Sequence, residues 1–104
     1  MLIVIWKYVV KENHQKDFEE LYGPNGNWVK LFEKGEGYLG TMLLKTTLEE
    51  NVYLTQDHWQ SEELYRLFLG QNAEQYKIID QEGDHLTVSE VKIGCFESPE
   101  QESK

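Results

Sequence analysis

Residues 2–11, LIVIWKYVVK, are apolar on both parities. Leu2, Val4, Trp6, Tyr8 and Val10 form one set, and Ile3, Ile5 and Val9 the other. β-Branched and aromatic residues at this density predict a strand. A strand with one wet face alternates more cleanly, so this one is expected to be covered on both sides. The period then changes. Phe18 and Tyr22 lie one helical turn apart, and Asn13 and Gly23 are placed to start and stop a helix. Pro24 has no N–H and clashes one turn back, so the Gly23–Asn27 cluster is read as a break. Asn27 is read as a second N-cap, opening a short helix from Trp28 to about Glu33. At 100° per residue, Trp28, Val29 and Phe32 stay near the face set by Phe18 and Tyr22. The break can therefore re-aim the backbone without leaving the core. It is also expected to swing Trp28 inward as a wall of any pocket there.

The second half repeats this grammar. Residues 38–46 and 52–59 read as strands joined by the polar LEEN. Ser61 is a strong N-cap, and Glu62 and Glu63 suit the positive end of the helix that follows. Leu64, Tyr65, Phe68, Leu69, Ala73, Tyr76 and Ile79 carry its apolar stripe. Gly70 inside that stripe costs about 1 kcal/mol relative to Ala. QEGDH, residues 81–85, reads as a loop, and LTVSEVKIGCFE, residues 86–97, as a last strand. The expected organisation is one domain over residues 1–97 and a flexible tail over 98–104.

The order β-α-β-β-α-β predicts an α+β, ferredoxin-like fold, with a four-stranded antiparallel sheet and both helices on one face. The other face would then be bare and partly apolar, which predicts a partner. A second copy of the chain, sheet against sheet, is the expected one.

Charge narrows the partners further. Ten Lys and Arg against nineteen Asp and Glu in 104 residues leave a formal charge of −9. Such a surface repels phosphate, so neither nucleic acid nor an anionic membrane is an expected partner. A single cysteine, Cys95, allows neither an internal disulfide nor a thiolate metal cluster. The opening MLIVIW is too short for a membrane span, and the default setting is the cytoplasm. DQEGDH matches neither a calcium loop nor a zinc spacing, so no metal is expected. GPNG lacks the lysine and the strand-to-helix context of a phosphate loop.

Four segments in order, YGPNGNW, GYLGTMLL, YLTQDHWQS and IGCFE, resemble the antibiotic biosynthesis monooxygenase family from Met1 to about Glu97. The resemblance implies a dimeric α+β barrel with a pocket between sheet and helices. It also implies one of several activities: oxidation of aromatic polyketides by O₂ without cofactor, breakdown of haem, or no known reaction. Trp59 matches a pocket tryptophan of both active branches, and Tyr65 a tyrosine of the polyketide-oxidising branch. That branch has an Asn where this chain has Thr55, and an Arg late in the second helix where it has Ile79. The haem-degrading branch has an Asn and an axial His where Lys7 and Leu69 stand, which disfavours haem.

Cofactor-free oxygenation needs a substrate that supplies its own electrons, a dry aromatic slot and a group that removes a proton. Trp59, Tyr65, Tyr53 and Trp28 are candidates for the slot. Strand parity places Tyr53, Thr55, Asp57 and Trp59 on one face. If that face meets the helices, Asp57 is the general-base candidate, because burial beside aromatics raises a carboxyl pKa. His58 would point the opposite way, toward a partner copy, and His14 and His85 sit in polar segments. The expected site is therefore Trp59, Asp57 and Tyr65 for chemistry, with Trp28, Tyr53 and Thr55 for binding. The expected ligand is a planar phenol or quinol, with no cofactor. The competing reading is a non-catalytic small-molecule-binding or stress-related protein on the same scaffold.

Overall fold

The near-continuous apolar run at the start of the chain becomes the inner strand that its composition requires. In the computed structural model, which describes residues 1–99, β1 (Leu2–Val10) lies between β3 (Val52–Trp59) and β4 (Thr87–Glu97). With β2 (Tyr38–Lys45) at the far edge, the sheet order is β2-β3-β1-β4, and all pairings are antiparallel. This is the predicted ferredoxin-like α+β arrangement. Leu2, Val4, Tyr8 and Val10 are buried beneath the helices, while Ile3, Ile5 and Val9 on the other parity are half-buried.

Each helical crossover is bent into two pieces: α1 (Gln15–Tyr22) with α2 (Asn27–Phe32), and α3 (Glu62–Gln71) with α4 (Ala73–Gly83). Phe18, Tyr22, Trp28, Val29, Leu31 and Phe32 are buried, so the apolar stripe does continue across the first break. Gly26 explains how. A Cβ there would overlap the carbonyl oxygens of Glu20 and Leu21, so the start of α2 can pass over the end of α1 only without a side chain.

Helix ends differ from expectation in four places. Asn13 does not cap α1; it takes the left-handed conformation at φ 69°, which Asn tolerates, and His14 occupies the cap position. Asn27 is the first residue of α2 instead of its cap, and its side chain donates to Glu82 Oε1 at 3.2 Å. The second crossover breaks at Asn72, with Gly70 left inside α3. Asn72 closes α3 by directing both its backbone N–H and its Nδ2 to the Phe68 carbonyl, each at 3.0 Å. The segment 81–85 is also no loop. It is the end of α4 and the start of a 3₁₀ turn, Asp84–Leu86, anchored by buried Leu86. Ser61 caps α3 as predicted, accepting from the Leu64 N–H at 3.2 Å.

The expected tail over 98–104 lies outside the described residues from position 100 onward; Ser98 N–H bonds the Met1 carbonyl at 2.9 Å. The sheet face away from the helices carries Ile3, Ile5 and Val9 together with Met42, Val91 and Phe96, the last three about half exposed. Among the described residues, no helix is long and apolar enough to cross a membrane.

Candidate active site

Alternation along β3 sends Tyr53, Thr55, Asp57 and Trp59 to the helix-facing side, and all are buried. Register does the rest. Thr41 of β2 lies opposite Asp57, and Trp6 of β1 lies opposite Thr55. These residues and Tyr8 form the floor of a cavity roofed by Tyr22, Trp28, Phe32 and Tyr76. For a water-sized sphere the enclosed part measures about 20 Å³, and the space including its open mouth about 310 Å³. The enclosed part holds one oxygen-sized group, since a single water needs about 10–15 Å³ on this measure. It is far below the about 150 Å³ of a cavity that holds benzene, so an aromatic ring enters fully only if the roof moves.

Asp57 is the chemical centre of the floor. It is only 8 % exposed, and burial pushes its carboxyl up to about 6. The Thr41 hydroxyl donates to Asp57 Oδ1 at 2.8 Å and opposes that rise. Because the Thr41 proton is committed to Asp57, the Tyr38 hydroxyl, 2.5 Å from Thr41 Oγ1, is the donor in that contact. The relay Tyr38–Thr41–Asp57 fixes one carboxylate oxygen and aims the group. From the roof, the Trp28 indole N–H is buried without a hydrogen-bond partner; the Tyr22 hydroxyl is the polar group beside it but does not complete a well-formed bond. A buried donor left unmade costs about 1–3 kcal/mol, so Trp28 is poised for an acceptor. Tyr8, Tyr22 and Tyr76 have hydroxyls driven above their usual range, chiefly by burial, and remain neutral phenols.

The structure thus brings Trp28, Thr55 and Asp57 together around one cavity. Trp59, Tyr65 and Tyr53 lie outside its lining. Trp59, fully buried at the end of β3, packs among Phe32, Tyr38, Tyr65 and Phe68 with ring centroids 5.0–6.0 Å away. Tyr65 packs against Trp59 with the rings tilted 53° to each other, and Lys92 Nζ lies 5.9 Å from its ring centre. Tyr53 closes the opposite end of the layer and donates to Glu19 Oε2 at 2.5 Å. His58 lies on the open sheet face as its parity predicts, and its Nε2 is buried without a partner. Sequence reasoning did not pick out Thr41, Tyr22, Tyr76, Trp6, Tyr8 or Phe32 for the site. For Thr41 the signal is the cross-strand register; for Trp6 and Tyr8 it is the buried parity of β1.

Haem does not fit this donor set. Among the described residues no His, Cys or Met lines the cavity. The tyrosines that do are held as neutral phenols, the wrong form for binding iron. The acidic propionates of haem would meet Asp57 with no Lys or Arg in the lining.

No protein-family model and no curated protein sequence matches the chain. Solved structures do. The chain superposes on SnoaB, a cofactor-independent oxygenase from Streptomyces nogalater, with TM-score 0.77 over 99% of this chain and 97% of that one, at 16% identity. A candidate antibiotic biosynthesis monooxygenase from Deinococcus radiodurans gives TM-score 0.78 at 13% identity, covering 100% and 98%. An MhuD variant with two manganese protoporphyrin IX molecules bound per active site gives TM-score 0.70 at 19% identity, covering 100% of both chains. The fold is therefore the one that cofactor-independent oxygenases and MhuD share.

Proposed function

We propose that the chain is a small-molecule oxygenase that uses O₂ without metal or flavin and acts on a planar phenol of the anthrone or quinol type. The observation that carries this reading is that one cavity is lined both by a carboxyl raised to about 6 and by a buried indole N–H without a well-formed hydrogen bond. A phenolic hydroxyl complements both: it donates to Asp57 and accepts from Trp28. Asp57, ionised near neutrality, takes the proton as general base, and the Trp28 N–H stabilises the phenolate that forms. Thr55 and Tyr8 border the seat, and Trp59 and Tyr65 hold the strand end behind it. The electron-rich anion then reduces O₂. In an anthrone, the ring CH₂ becomes C=O, one oxygen atom entering the carbon and the other leaving with the two hydrogens as water.

Trp28→Phe keeps an aromatic ring in the roof but removes the donor and part of the indole's bulk. It is expected to lower kcat/KM for O₂ consumption about 10²- to 10³-fold, with a modest fall in Tm from the lost packing. Oxygen-electrode assays with anthrone-type phenols and quinols test the reading, and binding of such compounds without any O₂ uptake sinks it. The second reading, a non-catalytic binding protein, is favoured by the size of the enclosed space, about 20 Å³.

The working form in this proposal is a cytoplasmic homodimer. Two copies would cover Ile3, Ile5, Met42, Val91 and Phe96 on the open sheet face. Val91→Lys, at a half-exposed position that the monomer fold does not depend on, is expected to shift the protein to monomer in sedimentation at micromolar concentration. An unmodified protein that already sediments as a monomer removes the dimer.

A further inference from the structure

Beside the site, β2 carries one residue more than its partner strand. Thr41 pairs with Asp57 and Gly40 with His58, but Tyr38 pairs with Trp59, so Leu39 is left over. This is a β-bulge. Positions 38 and 41 are an odd number of residues apart, and in an unbroken strand their side chains would point to opposite faces. The bulge cancels one step. Tyr38 then stands opposite Trp59 and Thr41 opposite Asp57, both on the side of the sheet that meets the helices. Leu39, the extra residue, is left exposed. Gly40 takes φ 133°, a conformation that residues with a side chain rarely adopt. A Cβ there would meet nothing within 4 Å, so the glycine serves the backbone and not crowding.

The contact made by the bulge ends at the carboxyl. Thr41 gives its one hydroxyl proton to Asp57 Oδ1 at 2.8 Å, and Tyr38 gives its own to Thr41 Oγ1 at 2.5 Å. Because the Tyr38 proton occupies a lone pair of Thr41 Oγ1, the Thr41 proton stays turned toward Asp57. Oδ1 therefore always faces a donor, and Oδ2 is left for a ligand, in a residue that lines the cavity. Tyr38 itself lies outside that lining, with its ring packed against Phe32 and Trp59 at 5.6 and 5.2 Å. Burial raises its hydroxyl pKa, so it remains a donor. The other titratable groups around Asp57 are phenols as well: Tyr8 of β1, Tyr22 of α1, Tyr65 of α3 and Tyr76 of α4. Burial raises all four, so none changes charge where Asp57 does. From α2 come only Trp28 and Phe32, and no Lys, Arg or His lines the cavity.

We infer that the bulge in β2 makes Tyr38 and Thr41 positioning residues for Asp57, binding Oδ1 between them so that Oδ2 is the atom that takes a proton from the ligand. The use of Oδ2 as a base rests on the phenol reading above; the hydrogen-bonded chain that aims it does not.

Carbon-13 NMR of the Asp57 carboxyl through a pH titration, with Asp57→Asn to assign the signal, reads the chain without any substrate. The parent midpoint should lie near 6. Thr41→Val keeps the side-chain shape and removes the hydroxyl that opposes the effect of burial, so the midpoint should move up by about one pH unit. Thr41→Ser should restore it. Tyr38→Phe should move it the same way by less, because the Thr41 hydroxyl remains but is free to turn. The pH midpoint of O₂ consumption with an anthrone-type phenol should follow in each variant. A Thr41→Val protein whose Asp57 titrates as in the parent overturns the inference, even if its Tm falls. A Tyr38→Phe protein with an unmoved midpoint removes Tyr38 from the device and with it the role of the bulge. NMR midpoints that shift as expected in a protein that consumes no O₂ at any pH uphold the positioning of Asp57 and overturn the oxygenase reading instead.

Discussion

Asp57→Asn is expected to abolish O₂ consumption and, at pH 7, to make the protein more stable. Losing the base should lower the rate about 10²- to 10⁴-fold. The gain in stability follows from the direction of the pKa change. Burial raises the carboxyl from 3.8 to about 6 in the folded protein, so the native state holds the proton more tightly than the unfolded chain does. Asp57's stabilising contribution is full below 3.8 and is lost as pH rises through about 6. Above that, keeping the charge buried costs about 3 kcal/mol. Asn retains an acceptor for the Thr41 hydroxyl and carries no charge. Tm should therefore rise by on the order of 10 °C at pH 8, and by little or nothing at pH 4. On the proposed chemistry, O₂ consumption by the parent protein should climb with pH to a plateau, with its midpoint near 6. Melting curves of parent and variant that stay parallel from pH 4 to 8 would show that Asp57 is not desolvated, and the base assignment would go with it.

The second large effect is at Trp59. Trp59→Ala should lower stability by about 3–5 kcal/mol, enough to unfold much of a domain whose total is about 5–15 kcal/mol. The residue is fully buried among four aromatic rings. Even Gly35 leaves no slack, since a Cβ there would come within 2.9 Å of the indole. Trp59→Phe keeps an aromatic ring and removes an indole N–H that has no partner, so its cost should be smaller. In the Phe variant the phenol affinity and the pH profile should match the parent, because Trp59 lies outside the cavity lining. A drop of more than about tenfold in kcat/KM with Tm unchanged would instead put the indole in the chemistry.

Parts of the site were legible in residue order. Period-two alternation aligned Thr55, Asp57 and Trp59 on one face, and the helical stripe across the Gly23–Asn27 break carried Trp28 toward that face. Thr41 was not legible as the partner of Asp57. Sixteen positions separate them, and only the β2–β3 register, fixed by packing over the whole sheet, makes them neighbours. The place of Tyr76 in the roof, and the approach of Asp80 and Asp84 to Glu90, were not legible for a related reason. A single helix was expected to Ile79 and a loop after it, whereas the chain kinks at Asn72 and α4 runs on to Gly83, setting Asp80 and Asp84 beside Glu90 of β4.

By itself the sequence determined the four strands, the order of the elements and the face shared by Tyr53, Thr55, Asp57 and Trp59, because those depend on short-range spacing and on which side chains avoid water. Only the tertiary structure decided which buried residues enclose space and which fill it. Trp28 and Trp59 read alike along the chain, as aromatics flanking an element boundary. Trp28 comes to roof a void beside Asp57, whereas Trp59 closes the core against Phe32 and Phe68. The physical reason is that a cavity is a mismatch between surfaces from distant segments, and no local pattern encodes how well two such surfaces fit.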